Sequence, residues 1–162
     1  MKACFIILFL FTFFSETPFA QNIILPEGEY MDTTSNLDSG CKNYEVYYYQ
    51  AGGKYPRSST TVLNEVKQFL LKSNNNYTNS GYITFRFLIG CDGYPMPKTE
   101  VLQTDEAYNK FHFDKGLVAE LFSFLKTMGK WNVAKTKNGD QFAFKSFITF
   151  KIKNGKVVNI IP

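Results

Sequence analysis

The sequence predicts an α+β fold in which an antiparallel β-sheet carries two helices. Gly81–Ile89, GYITFRFLI, places apolar side chains at every second position, as in a strand with one buried face. Asp114–Met128 places leucines at helical spacing on one face. In chain order the predicted elements are helix, two strands, helix and two strands. This order is typical of an antiparallel sheet with helices on one face.

The first 20 residues are typical of a secretory signal peptide, residues 1–20. Lys2 precedes an apolar run from Ala3 to Phe14, and a more polar stretch follows as far as Ala20. The apolar run is shorter than the ~20 residues that a membrane-spanning helix needs. Ala20 is a small residue of the kind found at cleavage sites. We therefore expect an exported protein, periplasmic or secreted, without a stable membrane span after cleavage; the alternative is an uncleaved membrane anchor.

The charge of the chain argues against nucleic acid as a partner. Lys and Arg total 18 and Asp and Glu total 14, which gives a net charge of +4. A nucleic-acid interface would concentrate its Arg and Lys residues on one face. The lysines here are scattered along the chain, as on an ordinary solvated surface.

Two cysteines remain after the predicted cleavage, Cys41 and Cys91. An even number of cysteines in an oxidising compartment predicts that these two form a disulfide. The alternative is a pair of separate thiols. With one histidine in the chain, the cysteines lack the spacing of a metal site, so we expect neither a metal nor another cofactor.

Residues 21–57 are predicted to be a loop-rich segment, because they show no sustained period. Within them Tyr44–Gln50, YEVYYYQ, is rich in strand-forming residues and is a candidate short strand that Gly52 and Gly53 would end. The first helix is expected over residues 58–72, with N-cap candidates among Ser58–Thr61.

A polar loop, Ser73–Ser80, follows the first helix. It contains Asn76-Tyr77-Thr78, which is either a glycosylation sequon or simply part of the loop.

A β-hairpin is predicted next, with strands near residues 82–89 and 98–103 and a turn at Asp92-Gly93. Pro95 and Pro97 stand at the start of the second strand. Because proline cannot donate a backbone hydrogen bond, we expect this strand at the edge of the sheet.

The second helix is expected over residues 115–128, with Asp114 as its N-cap and Gly129 ending it in the left-handed conformation. Trp131 would then cover the end of the core. A second hairpin follows, with strands near 142–152 and 156–161. Its turn is Asn154-Gly155, and Ser146 interrupts the apolar alternation of its first strand.

The search for catalytic residues centres on His112, the sole histidine. It lies between Phe111 and Phe113, just before a helix cap, which favours a structural or surface role. The nearby acidic residues, Asp105 and Glu106, read as a solvated pair in a loop. The sequence contains neither a Gly-x-Ser-x-Gly motif nor a phosphate-binding glycine loop. We therefore predict no catalytic residues and do not expect an enzyme.

From Gly81 onward a set of motifs occurs in a distinctive order. It comprises the strand GYITFRF, Asp92-Gly93, a strand to Val101, a helix ending before Trp131, Asn138-Gly139 and a strand ending Phe147-Ile148-Thr149-Phe150. In this order the set resembles the TonB C-terminal domain family of bacterial cell-envelope proteins. The resemblance implies that residues 58–162 form a protein–protein interaction domain. It also implies an envelope partner, such as an outer-membrane receptor, that adds a strand to the sheet edge.

The predicted second hairpin would leave the last strand as the free edge. On this hypothesis the partner-binding residues are Val157, Val158, Asn159, Ile160 and Ile161. The cleavable leader and the lack of a Pro-rich spacer suggest that the force-transmitting role of the family is absent. The alternative function is a small secreted α+β inhibitor or ligand-binding protein, which an apolar pocket under the helix Phe113–Met128 would favour. An enzyme would instead need a cleft that joins His112 to an acid or a nucleophile.

Overall fold

The computed structural model describes residues 27–33 and 41–161, so the predicted signal peptide, residues 1–20, lies outside the described chain. The described residues form a mixed α+β fold with one sheet. The strands are β1 (Glu29–Asp32), β2 (Lys42–Tyr47), β3 (Gly81–Ile89), β4 (Pro95–Thr104), β5 (Ala134–Lys135), β6 (Gln141–Lys153) and β7 (Lys156–Ile161). The helices are α1 (Tyr48–Ala51), α2 (Ser59–Leu71) and α3 (Lys115–Lys126).

The sheet has the strand order β1-β4-β3-β6-β2, and β5 and β7 also pair with β6. Both predicted hairpins, β3–β4 and β6–β7, are present as antiparallel pairs. The expectation of an antiparallel sheet is confirmed for the four predicted strands, which are β3, β4, β6 and β7, but it fails for β2, which runs parallel to β6. The predicted strand Tyr44–Gln50 is also displaced, since β2 ends at Tyr47 and the short helix α1 begins at Tyr48. Pairing between strands this far apart in sequence leaves no local periodic signal.

The prediction that the strand after Pro97 lies at the sheet edge is also wrong. β1 pairs with its outer side, where Glu29 lies opposite Val101 and Asp32 lies opposite Thr99. The backbone N–H of Phe111 then donates to the carbonyl of Gln103 at 3.1 Å. The prolines do not prevent this pairing because it begins beyond them, where every residue has an N–H group.

Helices α2 and α3 pack on one face of the sheet and bury its apolar side. On β3 the side chains of Ile83, Phe85, Phe87 and Ile89 are buried, as the period-two pattern predicts. Helix α3 covers them, and the ring centroids of Phe85 and Phe122 are 6.1 Å apart.

Helix α2 lies beside α3 on the same face. The ring centroids of Phe69 and Phe124 are 5.6 Å apart, and Val62 and Val66 are buried in the common core. Helix α2 also lies against β7. The second hairpin strand is therefore held by side-chain packing from the helix as well as by the sheet.

The helix starts follow the sequence prediction, but one helix end does not. The Ser58 side chain accepts from Thr61 N at 3.2 Å, and the Asp114 side chain accepts from Gly116 N at 2.7 Å. The residue with the left-handed conformation after α3 is Lys130 (φ 67°), not Gly129. Gly129 instead lies so close to a tyrosine ring that an added Cβ would stand 2.1 Å from Tyr94 Cε1.

The predicted disulfide Cys41–Cys91 is confirmed. Its Cα atoms are 5.8 Å apart, and it joins the start of β2 to the turn that follows β3. Cys91 N also donates to Cys41 Sγ at 3.2 Å. The disulfide therefore links the N-terminal part of the chain to the central hairpin across 50 positions of sequence.

Candidate functional site

The predicted partner-binding strand, β7, lies on the outer side of β6. Among the described residues β6 is its sole strand partner. Val157 and Ile160 point into the core and are buried. Val158 (40% exposed) and Ile161 (42% exposed) are open to solvent together with Asn159. The register shifts between Lys151 and Ile152, so Val158 is the extra residue of a β-bulge. Three of the five predicted edge residues are therefore accessible.

A short break in strand pairing separates β7 from β2 along the same side of β6. The parallel pairing with β2 ends at Lys145, and the antiparallel pairing with β7 begins at Thr149. Within the described ranges, Ser146–Ile148 therefore face no strand on this side. The other side of β6 remains paired with β3 through this region, opposite Arg86 and Phe87.

A groove of about 500 Å³ opens at this break, and we call it the Ser146 groove. It lies between helix α1, the loop that follows it, the start of α2, the end of α3 and strands β6 and β7. Its lining is Tyr48, Tyr49, Gly52, Gly53, Lys54, Tyr55, Arg57, Ser58, Ser59, Val62, Met128, Trp131, Ser146, Phe147, Ile148 and Ile160. Most of these side chains are aromatic or aliphatic, so the groove is mainly apolar.

The aromatic wall of the groove joins two distant parts of the chain. The ring centroids of Tyr55 and Trp131 are 4.8 Å apart, and Trp131 Nε1 donates to the Met128 carbonyl at 2.7 Å. Burial is the main cause that raises the pKa of Tyr55 above its usual value. The raised pKa follows from a phenol that has lost part of its water. Tyr55 is half-buried, so its ring and hydroxyl group are partly shielded from water.

The floor of the groove depends on a small side chain at Ser146. Its position in β6 points inward, in line with Phe144 and Ile148, and it lies opposite Phe87. Ser146 is 3% exposed. A phenylalanine or isoleucine, as at the neighbouring inward positions, would occupy space that the groove now holds. The sequence shows that Ser146 interrupts the apolar alternation of its strand. That this small side chain leaves room for a cavity can be seen only in the folded structure.

The charged residues that line the groove are both cations, Lys54 and Arg57. Arg57 forms an ion pair with Glu65 and lies with its guanidinium carbon 6.0 Å from the Tyr55 ring centroid. Lys54 is exposed, and its backbone carbonyl accepts from Asn132 N at 3.1 Å. Because Glu65 offsets the charge of Arg57, Lys54 supplies most of the net positive charge at this mouth.

The remaining residues that the sequence singled out do not meet at one place. His112 Nδ1 lies 3.6 Å from Glu29 Oε1, and the imidazole side chain is 62% exposed. The Asp105 carboxylate accepts from the backbone N–H groups of Ala107 and Asn109, each at 2.9 Å, and from the Asn109 side chain. These hydrogen bonds, led by the Asn109 side chain, lower the pKa of Asp105. Asp105 therefore lies in an exposed loop, as expected, and its carboxylate also stabilises the turn that follows it.

Residues 27–33 and 41–161 contain neither a candidate metal-binding cluster nor a candidate membrane-spanning helix. In these ranges His, Cys, Asp and Glu form no group of three or more that could hold a metal ion. The helices of the same ranges include none with the length and apolar character needed to span a membrane.

Comparison of the chain with protein-family models, with curated proteins and with solved structures found no match.

Proposed function

We propose that this chain is a non-enzymatic protein–protein interaction module of the cell envelope, exported to the periplasm or secreted. In this proposal residues 58–162 act as a TonB C-terminal-like domain, and an envelope partner adds a strand along β7. The exposure of Val158 and Ile161, on a strand that has one strand partner among the described residues, is the observation that supports it.

The physical basis is that an outer strand presents backbone N–H and C=O groups to a further strand. Main-chain hydrogen bonds supply affinity in such complexes, and alternate side chains supply specificity. Here Val158 and Ile161 would supply apolar contacts. Because α2 also lies against β7, the partner would contact the helix as well as the strand.

Site-specific photo-crosslinking in the native cell tests this proposal. A crosslinking amino acid at position 158 should capture an envelope protein, whereas the same group at Lys137, an exposed turn residue remote from β7, should not. In parallel, Val158→Lys and Ile161→Lys should reduce capture of the same protein from envelope extracts. Both positions are solvent-exposed, so these changes should leave the fold intact. Equal crosslinking from both positions, or unchanged capture by the lysine variants, would rule out β7 as the binding edge.

A second candidate function is that of a small secreted ligand-binding protein. The Ser146 groove supports it, because this apolar cavity lies at the end of α3 and contacts Met128 and Trp131. Its volume is within the range of about 300–1,000 Å³ that is usual for small-molecule sites.

A further inference from the structure

We infer that the Ser146 groove binds a small, flexible amphipathic anion, with an apolar body that folds between the aromatic walls and a carboxylate-type head near Lys54. This inference rests on the second candidate function, that of a ligand-binding protein, and does not require a partner at β7. It assigns the groove a ligand class defined by three properties of the lining: shape, polarity and charge.

The shape of the groove favours a small ligand that can fold within it over an extended peptide strand. The break in pairing at Ser146–Ile148 is short, and both of its ends are closed along the line of the missing strand. Tyr47 is paired at one end and Ile161 at the other. A peptide strand of ordinary length, about five residues, would collide with one of them.

The polarity of the groove favours an apolar body. Among the described residues, five aromatic side chains line it: Tyr48, Tyr49, Tyr55, Phe147 and Trp131. Apart from the tyrosine phenols, its principal neutral polar groups are the hydroxyl groups of Ser58, Ser59 and Ser146. Aromatic walls give a large apolar contact area at small conformational cost.

The charge of the groove favours an anionic head. In the part of the chain that the structure describes, the lining contains Lys54 and Arg57 but neither Asp nor Glu. Ser58 and Ser59, at the start of the 13-residue helix α2, also line it. The N-terminal end of a helix carries partial positive charge, which adds to that of Lys54. A cationic head would be repelled at the same place.

Titration with dodecanoate, below its micelle concentration, tests the inference. The chain has one tryptophan, and Trp131 lines the groove, so its fluorescence reports occupancy directly. We expect a saturable change with dodecanoate and about three- to tenfold weaker binding of dodecan-1-ol, which lacks the charge. Absence of saturable binding by dodecanoate would overturn the inference. Equal affinity for the acid and the alcohol would overturn the assignment of an anionic head.

Two variants place the binding in the groove, and a third is the control. Lys54→Gln should weaken dodecanoate binding several-fold but leave binding of the alcohol unchanged. Lys67→Gln removes an exposed charge from α2 outside the groove lining and should bind like the wild type. Ser146→Leu should fill the floor and abolish binding of both probes, with circular dichroism to confirm that it is folded.

Each outcome of the variant experiment decides the location. The groove would be excluded as the site if folded Ser146→Leu bound dodecanoate with wild-type affinity. It would also be excluded if Lys54→Gln and Lys67→Gln lost equal amounts of dodecanoate affinity. Because Lys54 is exposed, its variant remains informative if Ser146→Leu does not fold. Failure of crosslinking at Val158 with intact dodecanoate binding would reject partner docking alone. Successful crosslinking at Val158 without dodecanoate binding would reject the ligand proposal alone.

Discussion

The Tyr55 ring packs against the Trp131 ring at a centroid distance of 4.8 Å, with an angle of 47° between the ring planes. This contact fastens the loop after α1 to the segment that follows α3. The backbone reinforces it, because Asn132 N donates to the Lys54 carbonyl and Trp131 N donates to the Gly93 carbonyl. One wall of the Ser146 groove is therefore held by both side-chain and main-chain contacts.

Replacement of Gly53 by alanine should destabilise the fold and distort the groove. An added Cβ would stand 2.4 Å from Phe144 Cζ, and the Phe144 ring is fully buried and cannot move aside cheaply. We expect a loss of about 1–3 kcal/mol in the free energy of unfolding, the usual cost of overpacking. Urea unfolding of wild type and Gly53→Ala measures it.

The adjacent glycine provides a matched control for Gly53. Gly52 has a φ of 65°, and an added Cβ there meets nothing within 4 Å. Asparagine tolerates this left-handed conformation better than most residues. Gly52→Asn should therefore cost clearly less than Gly53→Ala, and an equal loss in both variants would mean that close packing on Phe144 is not the cause.

Stability at alkaline pH should depend on Tyr55. Burial raises the pKa of its phenol above 10.0, so the folded state holds this proton more tightly than the unfolded state. The associated stabilisation is fully present below pH 10 and is lost as pH rises through the higher pKa of the folded state. Urea unfolding at pH 8 and above pH 10 should show a larger alkaline loss in wild type than in Tyr55→Phe. Identical pH profiles for the two proteins would contradict this expectation.

Reduction of Cys41–Cys91 should lower the stability of the whole domain. The bridge closes a loop across 50 positions, for which the chain-entropy model gives about 4 kcal/mol as an upper figure. We expect dithiothreitol to lower the urea midpoint of wild type. The double variant Cys41→Ala/Cys91→Ala should start at the lower midpoint and show no further response. A reductant effect of equal size in this variant would show that the loss does not come from the bridge.

Truncation of Leu121 should test the packing of α3 on the sheet. Its side chain is fully buried, so Leu121→Ala should cost about 2–5 kcal/mol in the free energy of unfolding. Leu71 at the end of α2 is 70% exposed, and Leu71→Ala should change stability by less than about 0.5 kcal/mol. Comparable losses in the two variants would mean that α3 does not cover the core as described.

Much of the fold could be predicted because several elements carry a local signal. The two hairpins followed from alternating side chains and from turns at Asp92-Gly93 and Asn154-Gly155. The helix positions followed from apolar stripes and from the caps Ser58 and Asp114.

Strand partners distant in sequence could not be predicted in the same way. β1 and β2 pair with strands about 70 and 100 residues away. The covered edge of β4 and the parallel direction of β2 were therefore missed. The left-handed conformation was expected at Gly129 but occurs at Lys130. Gly129 is instead the residue that packs closely against the Tyr94 ring, a contact that the sequence does not reveal.

The two candidate sites differ in how far the sequence could predict them. The place of β7 beside β6 could be anticipated from the hairpin turn, but its exposed side chains could not. Strict alternation would put Val158 and Ile161 on opposite faces, whereas the bulge at Val158 leaves both exposed. The Ser146 groove could not be anticipated. Its walls come from α1, the loop after it, α2, the segment after α3, β6 and β7, which packing brings together, although Ser146 itself stood out as a polar residue among inward-facing apolar ones.

The sequence by itself determined the α+β class, the two hairpins, the amphipathic helices and the pairing of Cys41 with Cys91. These features depend on the period of side chains, on turn chemistry and on a cysteine count, all of which are local or compositional. The tertiary structure alone decided which strands flank β6, and hence that a break remains opposite Ser146–Ile148. The physical reason is that hydrogen bonding between distant strands and the packing of loops around them are settled together by the whole core.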